Sequence, residues 1–235
     1  MKILKKYTSF TYTRSLITNG RIILVDEPIS LEMRTELKKL ETVDKQELLF
    51  LEDKELAVDL EKILKRIIDT EHDILFVFPG NGSNYPYKLS ILCQKSFGTN
   101  VFAKRIWQPG TDPFVVVDPI FPNIFLILNI KTVLVVDDVI SSGSTLQKLY
   151  EKNSWRFPQA KWIGVSWVSQ IPQAKAKSGV KGYEYIETAC VVGKSNGSRV
   201  PINSLSTLRQ NPEIAKGYAH RHFKNPEEFL RLISL

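Results

Sequence analysis

Residues 133–146, Val-Leu-Val-Val-Asp-Asp-Val-Ile-Ser-Ser-Gly-Ser-Thr-Leu, hold the densest chemistry of this 235-residue chain. Asp137 and Asp138 follow four apolar residues, and Ser141, Ser142, Gly143, Ser144 and Thr145 come two residues later. Carboxylates are acceptors suited to sugar hydroxyls. Small hydroxylated residues around a glycine let backbone N–H groups approach an anion closely, and a helix N-terminus favours negative charge. The pattern is that of a phosphate cradle beside a sugar-hydroxyl clamp. It is not a Walker A loop, which needs Gly-x-x-x-x-Gly-Lys-Ser/Thr, nor the Gly-x-Gly-x-x-Gly dinucleotide fingerprint. A buried strand with a solvated loop behind it would account for the Ser and Thr residues. It would not account for two adjacent acids directly after an apolar run.

Such a cradle must stand at the end of a strand and the start of a helix. Val133–Val136 suits a fully buried parallel strand, and Leu146–Lys152 suits the helix. Upstream, Thr11–Ile17 and Arg21–Val25 flank Asn19-Gly20, a pattern that predicts a hairpin. Ser30 is placed to cap a helix through Leu40. Leu56, Leu60, Ile63, Leu64 and Ile67 share one face of a helix predicted over 45–69. Ile74–Phe78 is a short buried strand, followed by a helix over 85–97 and a strand over 100–104. Further strands are expected at 115–117, 124–128, 162–168 and 183–192, with a last helix beginning at Pro226. Alternation of strands and helices predicts an α/β fold, a doubly wound and mostly parallel sheet whose ligands sit at the strands' carboxyl ends. The expected division is an N-terminal segment 1–44, a core 45–169 and a C-terminal segment 170–235.

The stretch 133–146 resembles the phosphoribosyl-pyrophosphate (PRPP) signature of the type I phosphoribosyltransferase family: an apolar strand, two acids, two small apolar residues, and a five-residue loop ending in Gly-x-Thr. The resemblance implies the family's fold, with a small hood built from the terminal segments. It implies transfer of a phosphoribosyl group from PRPP to a nitrogen nucleophile such as a nucleobase, as in nucleotide salvage, with release of pyrophosphate. Asp137 and Asp138 would hold the ribose hydroxyls, and Ser141, Ser142, Gly143, Ser144 and Thr145 the 5′-phosphate. Mg²⁺ would be bound through PRPP, with no separate protein metal site.

The turn Gly80-Asn81-Gly82, about 55 residues before the acid pair, stands where the family has its pyrophosphate loop, although a plain glycine turn has the same composition. Lys104 and Arg105 stand at the root of the family's mobile loop, here 107–114, where fixed positive charge would stabilise departing pyrophosphate. An ordinary solvated basic pair is the competing reading. The resemblance therefore assigns Asp137, Asp138, Lys104 and Arg105 to catalysis.

Two departures matter. The orotate enzymes' Lys-x-x-Lys-x-His-Gly is absent. The 6-oxopurine enzymes usually begin the loop with Asp, thought to move a proton on the purine, whereas Ser141 is a poor proton carrier at neutral pH. Against that, Tyr183–Lys194 echoes the Phe-Val-Val-Gly strand of the same enzymes. A PRPP-sensing regulator that has lost catalysis and binds nucleic acid is the alternative on the same fold.

Composition sets the outer bounds. At 43% hydrophobic and 24% charged residues the chain has the make-up of a soluble globular protein. The net charge of +7 comes without a dense Lys/Arg block, which argues against nucleic acid as a partner. Cys93 and Cys190 lack metal-ligand spacing. With no secretory signal or membrane-length apolar run, a cytoplasmic location is expected. Family members are commonly dimers, which leaves a homodimer open. In the tail, Asn203, Ser204, Ser206 and Thr207 suit helix capping or substrate hydrogen bonds. His220 and His222 lack a third metal ligand.

Overall fold

The computed structural model describes residues 3–8, 11–51, 54–79, 101–105, 130–171 and 180–234; for 3–8, 11–13, 54, 55 and 101–105 it describes the backbone. In chain order the elements are β1 (Ile3–Thr8), β2 (Thr11–Ile17), β3 (Arg21–Leu24), α1 (Leu31–Lys39), β4 (Leu48–Leu51), α2 (Lys54–Thr70), β5 (Ile74–Phe78), β6 (Val101–Arg105), β7 (Thr132–Ile140), α3 (Ser144–Asn153), β8 (Lys161–Ser169), β9 (Tyr183–Gly193), β10 (Ile202–Ser204), α4 (Leu205–Gln210), α5 (Pro212–His222) and α6 (Pro226–Ile233). The elements expected over 85–97, 115–117 and 124–128 lie outside the described residues.

The larger sheet runs β1-β2-β9-β8-β7-β5-β6. Every pairing in it is parallel except β1 with β2, so the fold is α/β on a mostly parallel sheet. Parallel strands are covered on both faces, and β5 and β7 accordingly carry near-continuous apolar runs. The two faces build separate cores. Phe76, Phe78, Leu134, Val136, Ile163 and Val165 pack with the predicted α2 stripe, Leu56, Leu60, Ile63, Leu64 and Ile67. On the other face Leu75, Val77, Val133 and Val135 meet Leu146 and Leu149 of α3, together with Trp162, Tyr183 and Ile186. The chain passes from β5 to β6 on one side and then returns across β5 to β7 on the other. That reversal puts a topological switch point, and hence a crevice at the carboxyl ends, between β5 and β7.

A second sheet, β10-β3-β4, is also parallel and joins residues from opposite ends of the chain. Its strands alternate between two cores. Ile22, Leu24 and Leu51 face the core that contains α2. Ile23 and Leu48 face Met33, Leu37, Leu205, Leu208, Tyr218, Phe223, Phe229 and Leu232 of the surrounding helices.

Two sequence expectations fail here. Asn19-Gly20 does not close a hairpin: it hands the chain from the larger sheet to the smaller. Thr18 donates its backbone N–H to Gly193 O at 3.0 Å, while Arg21 donates to Glu47 O at 2.9 Å. A Cβ on Gly20 would lie 2.6 Å from Glu47 O, so glycine serves a close strand approach rather than a tight turn. The hairpin that does form joins β1 to β2. The helix expected over 45–69 begins only at Lys54. Lys45 has a φ of 57°, which a helix forbids, and the apolar run Leu48–Leu51 is taken by β4 pairing with β3.

Candidate functional site

β7 is longer than its apolar run suggests and carries both acids inside the strand, with Asp137 opposite Ser166 of β8. Asp137 is buried and accepts the backbone N–H of Asp138 on Oδ1 at 2.9 Å. Burial, joined by the neighbouring charge of Asp138, pushes the Asp137 carboxyl well above the usual carboxylate range. Behind it lies Tyr183, whose hydroxyl donates to Leu146 O at 3.1 Å. Burial and then the charge of Asp137 raise the Tyr183 phenol as well. Asp137 also lines the open space after β7, where a donor or a positive charge could reach it.

The loop after β7 borders that space. Ser142 Oγ lies 3.0 Å from Ser144 Oγ and accepts the Ser144 N–H at 3.3 Å. Gly143 precedes α3 with a φ of 78° and makes no side-chain cap. An added Cβ there would also lie 2.5 Å from Val180 Cγ2, so both conformation and space demand glycine. The first turn of a helix has N–H groups without intrahelical acceptors. In α1, α4, α5 and α6 a side chain satisfies one of them, from Ser30, Ser204, Asn211 and Asn225 respectively. At α3 the residue before the helix supplies no such cap, Ser142 Oγ takes only the first N–H, and beside them is a cavity of about 90 Å³, lined by Asp137, Val139, Ile140, Ser141, Ser142, Gly143, Ser144, Thr145 and Leu146. Oriented donors, hydroxyls and a dipole end facing a small cavity can hold a phosphate-sized anion.

The remaining sequence candidates fall as follows. Asp138 is buried but does not line that cavity. Lys104 pairs with Val77 and Arg105 with Phe78, which places both at the carboxyl end of β6, two strands from the acids. Gly80, Asn81 and Gly82 lie outside the described residues, beyond the carboxyl end of β5. Ser204 caps α4 by accepting the Thr207 N–H at 3.3 Å. Among the described residues no group of three or more His, Cys, Asp or Glu could hold a metal. His222 instead packs edge-on against Tyr218, and burial followed by the charge of Arg21 lowers it to about 4.

The sequence reading missed Asp26, just past β3. Ser206 of α4 donates its N–H to Asp26 Oδ1 at 2.9 Å, and its hydroxyl to Oδ2. Burial raises the Asp26 carboxyl to about 6, Ser206 partly offsets this, and the charge of Asp138 adds to it. A signal was present in the sequence. Arg-Ile-Ile-Leu-Val-Asp-Glu repeats in miniature the apolar-run-then-two-acids pattern of β7.

No family model and no curated protein matches the chain. Among solved structures it is similar to the Helicobacter pylori xanthine-guanine-hypoxanthine phosphoribosyltransferase at 14% identity and a TM-score of 0.40, over 84% of this chain and 99% of that one. It is also similar to the hypoxanthine phosphoribosyltransferase of Trypanosoma cruzi at 17% identity and a TM-score of 0.40, over 59% and 77% of the two chains. The Trypanosoma cruzi enzyme in complex with the product IMP gives the same identity and TM-score over 59% and 72%.

Proposed function

We propose that the protein is a PRPP-dependent phosphoribosyltransferase of the type I kind, transferring the phosphoribosyl group to a nucleobase nitrogen. The observation that carries this reading is the start of α3, where Gly143 supplies no cap of its own. The hydroxyl loop of the PRPP-like signature and Asp137 line one small cavity there, beside a switch point where such folds bind ligands.

In this reading Ser141–Thr145 bind the 5′-phosphate through hydroxyls and backbone N–H groups. Asp137 and Asp138 accept hydrogen bonds from the ribose 2′- and 3′-hydroxyls, which supplies the buried Asp137 with donors. Their negative charge then lies near the anomeric carbon as it becomes positive. Lys104 and Arg105, with the Gly80–Gly82 turn, would receive pyrophosphate. Two carboxylates suit a Mg²⁺ that takes most of its oxygens from PRPP and water, and such an ion would neutralise charge building on the leaving group. The layer of β3, β4, β10, α1 and α4–α6, drawn largely from 1–44 and 170–235, would serve as the hood over the acceptor, against the core of 45–169.

Calorimetric titration with PRPP and Mg²⁺, followed by pyrophosphate release against a panel of nucleobases, tests this reading. Binding with turnover supports it. Binding without turnover on any base marks a PRPP sensor instead. Replacing both acids, Asp137→Asn with Asp138→Asn, is expected to reduce turnover at least 1,000-fold, on the order of removing groups that act at the transition state, with an unchanged circular dichroism spectrum. Wild-type turnover in that double variant refutes the clamp.

A further inference from the structure

A nitrogen acceptor that gains a ribosyl group has a proton to lose. As the N–C1′ bond forms, the C1′–O bond to pyrophosphate breaks and its electron pair leaves with pyrophosphate. The acceptor's N–H proton must pass to a base. Ser141, the first residue of the loop, is a poor proton carrier at neutral pH. The smaller sheet supplies a group with the properties that Ser141 lacks.

Asp26 leaves β3 at the point where that sheet approaches the acid pair: β10 packs against β7, and the charge of Asp138 acts on Asp26. Its carboxyl is held as a fork. Ser206 donates its N–H to one oxygen and its hydroxyl to the other, so each oxygen keeps acceptor capacity on a side chain that is already oriented. Asp26 is only half-buried. Among the described residues, the neighbouring charged groups Glu27 and Arg209 are committed elsewhere. Glu27 pairs with Arg209 Nη1 at 3.4 Å and accepts from Gln210 Nε2 at 3.2 Å, while Arg209 Nε donates to Ile233 O at 2.9 Å. Asp138 is the charge that faces Asp26 from β7.

Resting on the phosphoribosyl-transfer reading above, we propose that Asp26 is a catalytic residue: it takes the proton from the acceptor nitrogen as the glycosidic bond forms. Its carboxyl, raised to about 6 by burial, is largely ionised at neutral pH. It is also more basic than an ordinary carboxylate, which is the balance a general base requires.

The test measures pyrophosphate release with PRPP, Mg²⁺ and the best acceptor from the panel across pH, with PRPP affinity by calorimetry alongside. The wild type is expected to lose kcat as pH falls through about 6, the acid limb of the profile. Asp26→Asn should bind PRPP within about twofold of wild type and lose roughly 100-fold in kcat, the usual scale of general-base removal, and its profile should lack that limb. Asp26→Glu should recover part of the rate. Ser206→Ala, which removes a hydrogen bond that favours the ionised form, should move the limb to higher pH. Wild-type kcat in Asp26→Asn overturns the assignment, as does loss of PRPP binding or an unmoved limb in Ser206→Ala. A wild type that binds PRPP and releases pyrophosphate while those variants fail their expectations leaves the transferase reading standing and sinks only Asp26. A wild type that neither binds PRPP nor turns over sinks both.

Discussion

The starts of α3 and α5 face the same physical problem and solve it in opposite ways. At α5, Asn211 accepts the Ile214 N–H at 3.2 Å, Pro212 occupies the first turn where its missing N–H is harmless, and Glu213 adds negative charge near the dipole's positive end. At α3, Gly143 offers no side chain, the first turn contains no acid, and a cavity stands where the cap would be. The same asymmetry runs through the regions around them. On the smaller sheet α1, α4, α5 and α6 each begin with a side-chain cap. The carboxyl edge of β7 keeps a buried acid beside an open cavity. A helix start whose cap position is glycine, beside a cavity lined by hydroxyls, leaves room for a ligand that a larger capping side chain would obstruct.

Three measurements would break or sharpen this contrast. The largest effect is expected from Gly143→Ala. The left-handed φ and the contact with Val180 should cost roughly 2 kcal/mol of stability. Deformation of the loop should also weaken PRPP binding by at least ten-fold. Urea unfolding and calorimetry read the two together, and a variant that keeps PRPP affinity would remove the loop from phosphate binding. Next, Asn211→Ala should lower stability by about 1 kcal/mol and leave PRPP affinity unchanged, since its cap serves the fold alone. A matching loss of affinity would mean that the two helix starts are not independent. The smallest effect is acid sensitivity. His222 titrates at about 4 in the folded chain against an ordinary 6.5, so the folded state binds fewer protons than the unfolded one between those values. Its contribution is intact above pH 6.5 and is lost as pH falls towards 4. His222→Gln should therefore flatten the fall in Tm between pH 6.5 and 4, and an unchanged slope would assign that acid loss to other groups.

Legibility in the sequence followed locality. β7 and the start of α3 are visible because strand, acids and turn follow one another within 14 residues, and each local signal agrees with the fold. The α2 stripe is visible for the same reason. β4 is not, because Leu48–Leu51 continues the apolar spacing of the helix behind it, and only β3 makes it a strand. Asn19-Gly20 misleads because its usual use in a hairpin is local, whereas here the glycine is required by Glu47. Asp26 and Ser206 are 180 residues apart, and no short window can show that a carboxyl after one strand is gripped by a serine of α4. The tail's three helices were expected only in part. Their caps are plain in the sequence, but α4 is six residues long, and its place is set by packing against Ile23 and Leu48.

The pairing of β3 with β10 has a consequence for synthesis on the ribosome. β3, α1 and β4 emerge before the rest of the larger sheet, yet one edge of β3 waits for Ile202–Ser204, after β5 to β9 have been made. β2 likewise waits for β9. A nascent polypeptide would hold its doubly flanked strands complete while these two early edges stayed bare and open to wrong partners. The carboxyl of Asp26 would gain its serine fork only once Ser206, 180 residues further on, had been made, so whatever depends on that fork would wait for α4.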